Sequence, residues 1–139
     1  MKIRSIETVR VQSEKTVAKT KPRRQPWSEH AEVANPMSRY TDVKRHRSMW
    51  RPGWSSLFVK VTADDGTWGL GPLTHAEPTR PVVEHLAPHL TGQDCMATEK
   101  LADRMFRLTK PYGTQGLASF AISALDLAFW DLKGKHLGL

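Results

Sequence analysis

Lys44, Arg45, His46 and Arg47 form a basic run, with Arg39 before it and Trp50, Arg51 and Trp54 after it. These residue types suit an anionic ligand. Arginine forks grip a carboxylate or a phosphate through two parallel hydrogen bonds. A tryptophan beside an arginine also stacks on a base or a sugar ring. Nucleic acid and an acidic small molecule both satisfy that chemistry. No DNA- or RNA-binding module pattern accompanies the cluster, which makes nucleic acid the poorer choice. The bland alternative is a solvated loop rich in lysine and arginine.

Three other spots invite chemistry and lose it on inspection. His85 and His89 stand four apart, as zinc ligands on a helix do. The zinc-protease pattern places its carboxylate directly after the first histidine, whereas here Glu84 precedes it and Pro88 disturbs the turn. Two surface histidines are expected. Asp64-Asp65-Gly66 lacks the alternate ligands of a calcium loop and reads as a hairpin turn. Gly69-Leu70-Gly71 has no third glycine and no lysine-serine pair, so it is not a phosphate loop. No metal ligand and no catalytic residue is assigned within the chain.

The elements that must position the basic cluster are legible around it. Residues 1–11 alternate, with Ile3, Ile6, Val9 and Val11 apolar and one slip of phase that predicts a strand with a bulge. Residues 12–54 show no sustained period and hold Pro22, Pro26, Pro36 and Pro52 with three tryptophans. A loop that long is uncommon unless it is functional or disordered, and its aromatics argue against simple disorder. Residues 55–72 read as a hairpin, Ser56–Thr62 returning through Thr67–Gly71. Residues 79–136 read as three helices. The first is capped by Thr79 and runs to about Leu90, with Pro88 breaking it. The second spans Thr98 to about Leu108, with Leu101, Met105 and Leu108 on one stripe. The third carries Leu117, Ala121, Ala124, Ala128 and Leu132 on one face, widened by Phe120, Leu127 and Phe129, so it should be mostly buried. Gly134 and Gly138 mark its exit. The expected fold is α+β, a three-stranded antiparallel meander packed against a three-helix layer.

Composition bounds the rest. A chain of 139 residues is one domain with a real core. Residues 1–51 hold 13 Lys and Arg against 5 Asp and Glu, while residues 52–139 hold 8 against 9. The overall charge of +7 therefore sits in the N-terminal third. Cys95 is the single cysteine, so no internal disulfide forms and a cytoplasmic location is expected. No run of 18 apolar residues is present, and no membrane span is expected. The alternating start carries no signal-peptide hydrophobic region.

At the third helix the residues meet a known pattern. Ala121-Ile122-Ser123-Ala124-Leu125-Asp126-Leu127-Ala128-Phe129-Trp130-Asp131-Leu132-Lys133-Gly134-Lys135 closely resembles a helix of the mandelate racemase/muconate lactonizing enzyme branch of the enolase superfamily. Phe129 stands where that family usually has leucine or alanine. The order strand, long loop, hairpin, helices also resembles the family's N-terminal capping domain. Ala34-Asn35-Pro36-Met37-Ser38-Arg39-Tyr40, with Arg47 eleven residues after Pro36, is similar to the loop of the L-rhamnonate dehydratase group of acid-sugar dehydratases.

The resemblance carries several implications. The loop 12–54 would face the substrate, and Arg47 would contact the acid sugar. His30 lies near a substrate-contacting histidine of that group, at a different spacing from Pro36. A Mg²⁺ ion held by three carboxylates of a TIM barrel would absorb the charge developed as a base removes the proton α to the carboxylate. Loss of the β-hydroxyl would give a 2-keto-3-deoxy acid. The family's barrel begins about where this sequence ends, so the barrel and its Mg²⁺ site are expected outside the chain. The chain alone, a fragment or truncated product of a lyase, is expected to be inactive, and the intact enzyme to be a homo-oligomer. The alternatives are a basic nucleic-acid module and a non-catalytic truncated product.

Overall fold

A computed structural model describes residues 1–11, 39–40 and 57–139. By its internal contacts the chain divides into two units, Met1–Gln12 with Trp54–Leu139, and Ser13–Gly53. The strands and helices of the fold belong to the first unit.

Three strands form one antiparallel sheet in the order β1-β2-β3: β1 (Ile3–Arg10), β2 (Leu57–Ala63) and β3 (Trp68–Pro72). The expected slip in β1 is real, since the register shifts between Ile3 and Ser5. Leu57, Val59, Val61 and Ala63 alternate onto one buried face, as period-two patterning requires. The turn places Gly66 at φ 90, a backbone that favours glycine, and Asp65 Oδ1 accepts the Thr67 N–H at 2.9 Å.

Three helices cover the buried face: α1 (Ala76–Leu90), α2 (Thr98–Thr109) and α3 (Leu117–Leu137), with a short 3-10 turn at Lys110–Tyr112. The core joins Val59 and Val61 of the sheet to Val83 and Leu86 of α1, Leu101 and Met105 of α2, and Leu125, Phe129 and Leu132 of α3. The α1–α2 connection is tied to the start of the chain. Ile3 N–H donates to Gln93 O at 2.9 Å, Gly92 N–H to Ile3 O at 2.8 Å, and Cys95 N–H to Met1 O at 3.1 Å. Cys95 itself is buried, and burial pushes its thiol above the usual range.

The first helix differs from expectation at both ends. It starts at Ala76, after His75 in the left-handed region (φ 49), and Thr79 lies inside the first turns rather than at the cap. The Thr79 hydroxyl is buried and donates to Thr74 O at 2.9 Å. Pro88 does not break the helix, which carries both Pro81 and Pro88 to Leu90. Burial of Val83, Leu86 and Leu90 on one stripe outweighs the lost backbone bonds. The third helix departs in another way. Its inner side is buried as expected, but Leu117, Leu127 and Trp130 are exposed.

Candidate functional site

The basic cluster, Lys44 to Arg47 with Trp50, Arg51 and Trp54, lies outside the described residues, as do His30 and the rest of residues 12–38 and 41–56. Arg39 and Tyr40 are described, and both are exposed. The remaining sequence candidates can be placed.

His85 and His89 are exposed on α1 with ring centroids 5.5 Å apart. His85 Nδ1 lies 2.8 Å from the Tyr112 hydroxyl, and burial raises the Tyr112 phenol above its usual range. This is a surface latch between α1 and the 3-10 turn. Asp65 serves the hairpin turn and faces His136 Nδ1 at 3.3 Å, so the turn is held against the end of α3. Among the described residues no group of three or more His, Cys, Asp or Glu side chains comes together to hold a metal. Among the described residues, no helix is long and apolar enough to cross a membrane.

Gly69 and Gly71 have a structural role that their spacing did not announce. Both face α3. A Cβ on Gly69 would overlap the Ala128 carbonyl oxygen, and one on Gly71 would overlap that of Ala124. The strand therefore rests directly on the backbone of the helix. Asp131 completes the junction. Its Oδ2 accepts the Leu70 N–H of β3 at 2.8 Å and Lys135 Nζ at 2.7 Å. Burial works to raise the Asp131 carboxyl, but these bonds outweigh it and hold the group below the usual carboxylate range. Lys135 Nζ also lies 3.8 Å from the centre of the Trp68 ring. The expected Asp131–Lys135 pair is thus part of a clamp from α3 onto the edge of the sheet.

This sheet–helix body is the part that comparison with known proteins recognises. Residues 52–139 match the family described as mandelate racemase / muconate lactonizing enzyme, N-terminal domain. The chain belongs to this family. The match takes in β2, β3 and all three helices, and the resemblance read from the third helix is borne out. The L-rhamnonate dehydratase of Saccharopolyspora erythraea is 43% identical over 105 residues, 74% of this chain and 27% of that protein. The crystal structure of L-rhamnonate dehydratase from Gibberella zeae aligns with 98% of this chain and 32% of its own, at 29% identity and a TM-score of 0.74. L-talarate dehydratase from Polaromonas sp. JS666, complexed with Mg and L-glucarate, aligns with 60% of this chain and 23% of its own, at 34% identity and a TM-score of 0.53. The mandelate racemase/muconate lactonizing N-terminal domain described here thus spans 27% of the length of the curated relatives it matches first.

Proposed function

We propose that this chain is the capping domain of an acid-sugar dehydratase of the L-rhamnonate dehydratase kind, with residues 12–54 facing the substrate. The observation that carries the reading is the 43% identity to the S. erythraea L-rhamnonate dehydratase across 74% of the chain. The basic loop is its chemical counterpart, because an acid sugar presents a carboxylate. Arg47 supplies a planar fork for that carboxylate, and His30 is a second candidate contact. The work of this domain is to bind, orient and exclude water while another part of the protein performs the elimination.

Mg²⁺ belongs to that other part. The L-talarate dehydratase relative is complexed with Mg and L-glucarate. The described residues of this chain do not fit such a site, since no three suitable ligands converge among them. We therefore assign the ion, the bases and the bond-breaking steps to the remaining domain.

The test uses the full-length protein that carries this domain, assayed with L-rhamnonate and read by 2-keto-3-deoxy acid formation. Turnover is expected from the full-length protein and none from the 139-residue chain with added Mg²⁺. Arg47→Ala should lower kcat/KM by about 10- to 100-fold, the size of a hydrogen bond to a charged group. Unchanged kinetics would remove Arg47 from the site. Failure of the full-length protein on every acid sugar tried would sink the reading itself.

A further inference from the structure

His85 and His89 stand four residues apart on α1, and both are exposed. One turn of helix brings such side chains onto the same side. Here the two rings meet edge-on with their centroids 5.5 Å apart. Two imidazoles bound to one tetrahedral ion, with metal–nitrogen bonds of about 2.1 Å, hold their ring centres about 5 Å apart. The rings therefore already stand near the spacing that a shared ion requires. Pro88 lies between them without interrupting the helix, so the spacing is that of a continuous turn.

The first ring is also held in place. His85 Nδ1 lies 2.8 Å from the Tyr112 hydroxyl, and the two rings meet with centroids 5.5 Å apart. Tyr112 comes from the 3-10 turn at Lys110–Tyr112, where Pro111 stiffens the backbone. With Nδ1 engaged, Nε2 is the nitrogen left for a metal. A ligating histidine typically donates its other N–H to a neighbouring oxygen, which fixes the tautomer and the ring orientation. The Tyr112 oxygen is placed to accept that hydrogen bond. His89 has no hydrogen bond or ion pair among the described residues, so its nitrogens are open to the same ion. Glu84 is not a third ligand, because Arg80 Nε holds its Oε1 at 2.7 Å. Among the described residues no third His, Cys, Asp or Glu side chain joins the pair.

We propose that His85 and His89 form a surface site for one borderline divalent cation of the Cu²⁺, Ni²⁺ and Zn²⁺ class, with Tyr112 orienting His85 and water filling the remaining positions. Neutral imidazole nitrogens select these ions, whereas Mg²⁺ prefers an octahedron of oxygens. The site does not depend on the dehydratase reading and stands or falls on α1 and Tyr112 alone. Only the folded helix brings the two rings together, so a bound ion stabilises the domain. The positions held by water leave the ion open to a further ligand.

Isothermal titration of the 139-residue chain with Cu²⁺, Zn²⁺ and Mg²⁺ tests the site. Cu²⁺ should bind more tightly than Zn²⁺, and Mg²⁺ should not compete with either. His85→Ala and His89→Ala should each weaken this ion by about 100-fold, because a second ligand on the same turn acts at high effective concentration. Tyr112→Phe should weaken it by about tenfold, the cost of losing an orienting partner. His89→Gln repeats the measurement if an alanine variant fails to fold. Nuclear magnetic resonance of the histidine ring protons identifies the ligands directly. Sub-stoichiometric paramagnetic Cu²⁺ should broaden His85 and His89 before His30, His46, His75 and His136. Parent-like binding in either alanine variant would overturn the proposal, as would earlier broadening at any other histidine. Displacement of Zn²⁺ by equimolar Mg²⁺ would overturn it too. Parent-like affinity in Tyr112→Phe would overturn the orienting role of the phenol.

Discussion

Gly71 shows how little freedom a single position has in this domain. An added Cβ would lie 2.8 Å from the Ala124 carbonyl carbon and 3.0 Å from the Ala128 nitrogen, besides overlapping the Ala124 oxygen. All of these are helix backbone and cannot swing aside. Gly71→Ala should therefore push β3 away from α3 and cost about 3 kcal/mol, the upper range for overpacking. Thermal melting followed by circular dichroism should show a fall of about 10 °C. Gly134→Ala is the control: the space around it is open and alanine favours a helix, so its melting should hold or rise slightly. A Gly71→Ala protein that melts like the parent would mean that the strand does not rest on the helix. In the sequence, Gly69 and Gly71 could be excluded from phosphate binding but not explained. Their reason lies in α3, more than fifty residues later, and only the packed chain brings the two together. Arg47 is the converse case. Its chemistry, a planar fork suited to a carboxylate, is legible from residue type, while its position lies outside the described residues.

The elements were legible in proportion to how local their causes are. The alternation of β1 and its slip, the Asp-Asp-Gly hairpin and the Leu101–Met105 stripe of α2 are short-range signals, and each appears in the fold. α1 departs from its local signals at Thr79 and Pro88 because proline acts locally and burial of Val83, Leu86 and Leu90 acts through the whole body. The outer strand β3 shows the same division. A free strand edge invites pairing with another chain, and here Asp131 takes up the Leu70 N–H from α3. Because the folded carboxyl lies below its ordinary value of 3.8, the ionised form is the one that the fold favours. The stability it contributes is fully present above that value and is lost as pH falls through the lower, folded pKa. Asp131 and Lys135 are 37% and 40% exposed, so solvent screening keeps the contribution to about 1 kcal/mol or less. Asp131→Asn should lower the melting temperature by a few degrees at pH 7 and lose less on acidification, with the gap between the two proteins narrowing as pH falls below 3.8. A constant gap between them from pH 7 to pH 2 would show that the carboxylate's charge plays no part in holding the edge.

At the scale of the whole molecule, α3 faces two ways. Its inner side completes a core that the chain supplies for itself, joining all three strands' sheet to α1 and α2. Its outer side keeps Leu127, Trp130 and Leu137 in water. The sequence pattern implied a helix mostly buried, and the structure buries its inner side alone. The outer stripe remains an exposed apolar patch, and such patches drive association. The 139-residue chain on its own should therefore self-associate as its concentration rises, while keeping a cooperative melt from its intact core. Trp130→Lys should reduce that association, because it puts a charge in the middle of the patch without touching the buried side of the helix. Sedimentation velocity across a range of concentrations distinguishes the outcomes. A parent chain that stays monomeric throughout would show that the stripe is too small, or too well shielded by Lys133 with its Nζ 4.8 Å from the centre of the Trp130 ring, to act alone. A variant that associates as strongly as the parent would move the sticky surface elsewhere, to the open face of the sheet around Phe58, Trp68 and Leu70.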